Sequence, residues 1–147
     1  MTATPISTLP AIELDVTHAP MVHIRVRPHL SVQDMQPFFS SLQTFLERGQ
    51  RYVAKVVFEE GTPTLSAFLR RDIIRDMLRM TPLFDRCCAG TVIVLPNGYV
   101  RKALHSVFWA VRLRHPVLLT SNPQEATHFT QHHLALSAPT DDIRAAG

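Results

Sequence analysis

Apolar residues recur along this chain at two alternating spacings. An unbroken apolar run from Thr91 to Leu95 predicts a strand that is buried on both faces. A turn over 96–98 interrupts it, and apolar residues at helical spacing continue from Tyr99 to Val111. This strand, turn and helix form one step of an α/β protein, a class that usually binds ligands or partners at the carboxyl edge of its sheet.

Two segments near the start alternate apolar and polar residues. Ile12 to Val16 and Val22 to Val26 therefore read as half-exposed strands, close enough in sequence to form an edge hairpin. Ser31 with Asp34 three residues later predicts the start of a first helix. Pro37 leaves two alternatives open: this helix is kinked there, or its regular part begins at Pro37.

A third strand, Tyr52 to Phe58, precedes an arginine-rich second helix. We expect that helix to run from Thr64 to Met80, with Thr62 or Thr64 as its cap, and to stop near Pro82. Its apolar residues predict a core-facing side, and its arginines occupy another face: Leu65, Phe68, Leu69, Ile73, Ile74, Met77 and Leu78 against Arg71, Arg75 and Arg79.

The last elements are a short strand, Val117 to Leu119, and a helix whose start is marked by Asn122, Pro123 and Glu125. The full order β, β, α, β, α, β, α, β, α predicts an α/β fold. We expect a four- to five-stranded, mainly parallel sheet with an antiparallel edge hairpin and helices mostly on one face. One domain should span 12–137, between flexible tails at 1–11 and 138–147.

Composition narrows the function classes. The 147 residues are 46% hydrophobic and 18% charged, with a net charge of +3 and no dense basic tract, which argues against nucleic-acid binding. An apolar run of about 18 residues is absent, so membrane insertion is not expected. The start lacks the pattern of a signal peptide, which favours a cytoplasmic protein. Adjacent Cys87 and Cys88 suit buried, reduced thiols better than a disulfide.

The element order and several local patterns resemble the STAS domain, the SpoIIAA-like fold of anti-sigma factor antagonists, in a stand-alone bacterial form. The likeness covers roughly Ile12 to Leu136. It is carried by the strand Tyr52 to Phe58, by the arginine-rich helix after it, and by the stretch from Cys87 to Trp109. The resemblance implies a regulatory, non-enzymatic module that binds another protein. Some STAS-like proteins also interact with nucleotides or lipids.

In phosphoregulated STAS domains, the serine of an Asp-Ser pair is phosphorylated where this second helix starts. The matching junction here contains no Asp-Ser pair, so the resemblance leaves Thr62, Thr64 or Ser66 as candidate acceptors. A phosphate at a helix start is favoured by the helix dipole. Glu59 and Glu60 nearby would oppose its charge, and a hydroxyl that only caps the helix is the simpler interpretation.

Two groups of cations and one aromatic residue are candidates for binding. The arginine stripe of the second helix is either a solvated face, paired through Asp72 and Asp76, or a docking face for an acidic partner, an anionic lipid surface or a polynucleotide. Arg101 and Lys102 stand at the start of the third helix, where the helix dipole disfavours positive charge unless an anion or a nearby acid balances it. They therefore form a candidate anion site. Trp109 suggests partner docking or a homodimer. The candidate binding surface is Arg70, Arg71, Tyr99, Arg101, Lys102 and Trp109.

No residue set has the form of a catalytic signature. His128 and His132 have the spacing of zinc-binding helices, but no glutamate stands beside His128 as in metalloproteases, and exposed histidines are the simpler reading. We therefore expect a protein-interaction module without catalytic residues, metal or cofactor. The alternative is a domain that binds a small molecule or anion, such as a nucleotide or lipid headgroup, at the helix starts.

Overall fold

A computed structural model describes residues 9–61, 66–96 and 98–136, except for the side chains of residues 98 and 99. Within these ranges, strands and helices alternate in the predicted order. They are β1 (Ile12–Asp15), β2 (Met21–Val26), α1 (Val32–Leu46), β3 (Tyr52–Phe58), α2 (Ala67–Cys87), β4 (Cys88–Val94), α3 (Gly98–Val111), β5 (Val117–Thr120) and α4 (Pro123–Leu136). The predicted tails lie almost wholly outside the described residues.

The five strands form one sheet in the order β1-β2-β3-β4-β5. Strands β1 and β2 are antiparallel, with Ile12 opposite Val26, and all other neighbours are parallel. The predicted α/β class, the mainly parallel sheet and the antiparallel edge hairpin are therefore confirmed.

Three helices share one face of the sheet because each connection from β2 to β5 moves one strand in the same direction, and such crossovers are right-handed. Tyr52, Ala54 and Phe58 of β3 accordingly belong to the core beneath α1, α2 and α3. Helix α4 packs on the opposite face, where Gly90 of β4 lies against Phe129 and His133. Gly90 thus lets α4 approach the sheet closely.

Two helix starts match their sequence signals. The Ser31 backbone N–H and hydroxyl each donate to the Asp34 carboxylate at 2.8 Å. Helix α1 runs from Val32 through Pro37, so the alternative that its regular part starts at Pro37 is wrong. At α4, the Asn122 side-chain oxygen accepts from the Gln124 N–H at 2.9 Å, which confirms Asn122 as the cap.

Helix α2 differs from the prediction at both ends. Its cap is Ser66, whose hydroxyl oxygen accepts from the Leu69 N–H at 3.1 Å, in place of Thr62 or Thr64, which lie outside the described residues. The helix continues through Pro82 to Cys87, so the predicted stop near Pro82 is wrong. Pro82 is exposed while Phe84 is buried beyond it, and the burial of this last turn offsets the missing backbone hydrogen bond.

The two cysteines occupy the junction between α2 and β4. Both thiols are free and buried, as predicted. In the ranges that the structure describes, no helix is both long and apolar enough to cross a membrane.

Candidate functional site

Helix α2 exposes large apolar side chains on its solvent side. Phe68 is 70% exposed and Leu78 is 51% exposed, so their predicted places on the core-facing side are wrong. Three arginines share this side at helical spacing. We call the surface formed by Phe68, Arg71, Arg75, Leu78 and Arg79 the outer face of α2; all five residues are exposed.

The arginines of the outer face make different contacts. The Arg71 guanidinium lies 5.7 Å from the centre of the Phe68 ring, in the geometry of a cation–π contact. Arg75 pairs with Asp72 at 3.3 Å and Arg79 with Asp76 at 3.7 Å, which confirms both predicted pairs. These are exposed arginines, so each pair contributes only a few tenths of a kcal/mol to stability. The stripe is therefore partly neutralised, and Arg71 is the cation held beside an exposed aromatic ring.

Arg79 also links two helices. Its guanidinium donates to the Gln43 side-chain oxygen of α1 at 2.8 Å. A shallow polar cleft lies beside this contact, between α1 and α2. The outer face of α2 therefore continues onto α1 at its Arg79 end.

The candidate binding residues at the helix starts have separate surroundings. Arg101 is half-buried and donates to the Leu119 carbonyl oxygen at 3.1 Å, which ties α3 to β5. Lys102 is exposed, and the Tyr99 side chain lies outside the described residues. Arg70 is half-buried, and its Nε has no hydrogen-bond partner within the part of the chain described. The guanidinium of Arg101 is thus already engaged with the protein backbone.

Trp109 is apart from those residues. It is 76% exposed near the end of α3, with the Arg112 guanidinium 6.0 Å from its ring centre. Because α2 and α3 run in the same direction, the end of α3 and the start of α2 lie at opposite edges of the helical layer. The structure therefore does not bring Trp109 together with Arg70 and Arg71.

Beneath α2 lies an apolar cavity of about 140 Å³. Its floor is the sheet, including Ala54 and Ile93, and its roof includes Ile73 and Met77 of α2. Sequence patterns did not reveal this space, since periodicity shows which side chains face the core but not how completely they fill it. The short Ala54 side chain in the central strand was the one available signal.

A chain of neutral polar groups lies at one end of the cavity. The Cys88 sulfur is 3.4 Å from the Thr91 hydroxyl oxygen, which is 3.0 Å from His115 Nε2. Burial lowers the pKa of His115 to about 4, against the opposing effect of Asp85. Burial also raises the pKa of Cys88 and that of Tyr52, its partner in the sheet. These groups are all uncharged near neutral pH, so Cys88 is not an activated nucleophile.

Two histidines of α4 lie side by side, with the His132 and His133 ring centres 5.0 Å apart. His128 and His132 are exposed, while the His133 ring packs on Phe129 with their centres 4.2 Å apart. Burial, followed by the nearby His132, lowers the pKa of His133. Among the described residues there is no group of three side chains placed to hold a metal ion.

Neither a scan against protein-family models nor a search of curated proteins found a match for this chain.

Proposed function

We propose that this protein is a non-enzymatic regulatory module of the STAS-like type, which acts by binding another protein through the outer face of α2. The observation that carries the proposal is the pair of exposed apolar side chains, Phe68 and Leu78, set among arginines on one helix face. Aromatic residues and arginine are enriched in protein interfaces and in their energetic centres.

Burial of this surface would yield useful binding energy. Removing an exposed phenylalanine or leucine side chain from water contributes roughly 1.5–3 kcal/mol. Arg71 already lies against the Phe68 ring, so its guanidinium loses little freedom when a partner covers both. The complementary partner therefore presents an apolar pocket for Phe68 with carboxylates beside it for Arg71.

The STAS-like character rests on the element order, the five-stranded sheet and the helix that follows β3. Of the three candidate phosphate acceptors, Ser66 lies within the described residues. It caps α2 and stands two residues before Phe68, at the edge of the outer face. A phosphate there would add negative charge beside the arginines of the outer face, and it would compete with an acidic partner. This gives the proposed contact a route to regulation.

The alternative of an anion site at the start of α3 has less support. Arg101, its central cation, donates to the Leu119 carbonyl oxygen and would have to give up that bond to receive a ligand. A surface that needs no rearrangement is the more economical binding site.

The test compares partner binding by the full chain and by paired variants. The native protein and Trp109→Ala should retain the same partner from the host extract, and Phe68→Ala with Arg71→Glu should lose at least tenfold in affinity for it. The control is Trp109, which is equally exposed but lies away from the outer face. Urea denaturation verifies that each variant folds.

Three results would contradict the proposal. One is equal partner binding by the native chain and the Phe68/Arg71 variant. Another is a concentration-dependent homodimer that Trp109→Ala abolishes while no other partner is retained. The third is turnover of a substrate by the purified chain.

A further inference from the structure

We propose that the cavity between the sheet and α2 is a binding site for a small, uncharged, mainly apolar molecule of roughly six to ten non-hydrogen atoms. This goes beyond the protein-interaction function, because the cavity uses the inner face of α2 and shares no residue with the outer face.

The size of the cavity sets the size of the ligand. Protein interiors are normally packed as closely as organic crystals, and the few voids they hold are seldom larger than a water molecule. A volume of about 140 Å³ is therefore unusual in a domain of this length. Apolar cavities of about 150 Å³ stay dry and accept benzene or xenon.

The shape of the site is adaptable. Met35 and Met77 contribute to its wall, and the flexible methionine side chain adjusts to irregular guests. Several residues that line the space are partly exposed, among them Leu30, Phe38 and Phe108. The cavity therefore lies close to the protein surface, and a small molecule can reach it without unfolding of α2.

The wall selects against charge. None of the described residues around the cavity is Lys, Arg, Asp or Glu, and nearly all of the surface is hydrocarbon. His115 is neutral near pH 7 because burial lowers its pKa to about 4. A charged guest would lose its hydration and gain no counter-charge, which is strongly unfavourable.

The polar atoms beside the cavity are hardly exposed to it. His115 Nε2 is bonded to the Thr91 hydroxyl, and its buried Nδ1, which has no hydrogen-bond partner in the part of the chain that the structure describes, is shielded from solvent. A polar group on a ligand would therefore lose its hydration with little replacement. The geometry favours a molecule that is hydrocarbon over most of its surface, with toluene as the simplest probe.

The experiment measures the melting temperature of the full chain with matched probes. Toluene, phenol and indole, each at about ten times its Kd, should raise the Tm by on the order of 3–6 °C. Benzoate and benzylammonium, which are close to them in size but carry a charge at pH 7, should shift it by less than about 1 °C. Calorimetric titration supplies the Kd values.

Two variants test whether the probes bind inside the cavity. Ala54→Leu fills the space from its floor and should abolish the shift, whereas Ala110→Leu, at an exposed position on α3, should preserve it. If Ala54→Leu does not fold, Ile73→Phe fills the same space from the roof.

The proposal is overturned if no neutral probe raises the Tm, or if the filled variant responds as strongly as the native chain. Each readout is independent of whether a protein partner binds the outer face.

Discussion

The protonation of His115 should make this protein less stable in mild acid. The imidazole is partly buried with neutral Thr91 as its hydrogen-bond partner, and its pKa falls from 6.5 to about 4 on folding. Between these two values the unfolded chain binds a proton at this site and the folded chain does not. Stability is therefore fully present above pH 6.5 and is lost as the pH falls toward 4.

The size of the loss follows from the shift. One pKa unit corresponds to about 1.36 kcal/mol, so the full difference amounts to roughly 3 kcal/mol. The ring retains some contact with solvent, which weakens the penalty for charging it. We therefore expect a loss of about 2 kcal/mol between pH 6.5 and pH 4 from this residue.

The assay is urea denaturation followed by circular dichroism at several pH values, for the native chain and His115→Gln. Glutamine places an amide near the position of Nε2 but does not titrate. The pH dependence of the free energy of unfolding should be shallower in this variant by about 2 kcal/mol over that range. The matched substitution His105→Gln, at an exposed position on α3, should keep the native pH dependence.

Other acid-sensitive groups cancel in the comparison. Burial lowers the pKa of His133, which also destabilises the fold in acid, but that effect is shared by all three proteins. Parallel curves for the native chain and His115→Gln would refute the reasoning. They would mean that His115 carries its proton in the folded protein.

Three more measurements test the packing. Ser66→Ala removes the cap of α2 and should lower the free energy of unfolding by about 1 kcal/mol, while Ser121→Ala, at an exposed position, should change it little; equal effects would contradict the capping role. Gly90→Val should cost about 1–3 kcal/mol in urea denaturation, because even a Cβ there lies 3.1 Å from the His133 ring; an unchanged stability would mean that α4 moves away freely. Burial should keep Cys87 and Cys88 unreactive toward a thiol reagent in the native protein and reactive in urea, and rapid native labelling would disprove it.

Local signals predicted the elements well where one interaction dominated. The strand Tyr52–Phe58 has the predicted bounds, and the starts of α1 and α4 follow from Ser31 and Asn122. The strand depends on a mostly apolar stretch of residues, and the helix starts depend on hydrogen bonds between residues two or three positions apart. Both can be read directly from the chain.

The bounds of α2 depended on distant contacts. Pro82 signals a stop when only its neighbours are considered, yet the burial of Phe84 and Cys87 keeps the last turn helical. In the same way, Phe68 and Leu78 look like core residues by composition. Neighbouring helices cover only part of α2, and these two side chains face away from the core.

The candidate site shows the same division. The arginine stripe and its two ion pairs were predictable, because residues three positions apart on a helix are neighbours. The separation of Trp109 from Arg71 was not, since it depends on the common direction of two helices that are remote in sequence.

By itself, the sequence determined the element types, their order and the sheet they form, since alternation and helical spacing act over a few residues and crossovers have one hand. The tertiary structure alone decided which apolar side chains remain in solvent and where the core is incompletely filled. It also brought Thr91 and His115, 24 positions apart, into contact at the end of the cavity. The physical reason is that burial and packing depend on the summed volumes and directions of side chains from different elements, which no short stretch of the chain contains.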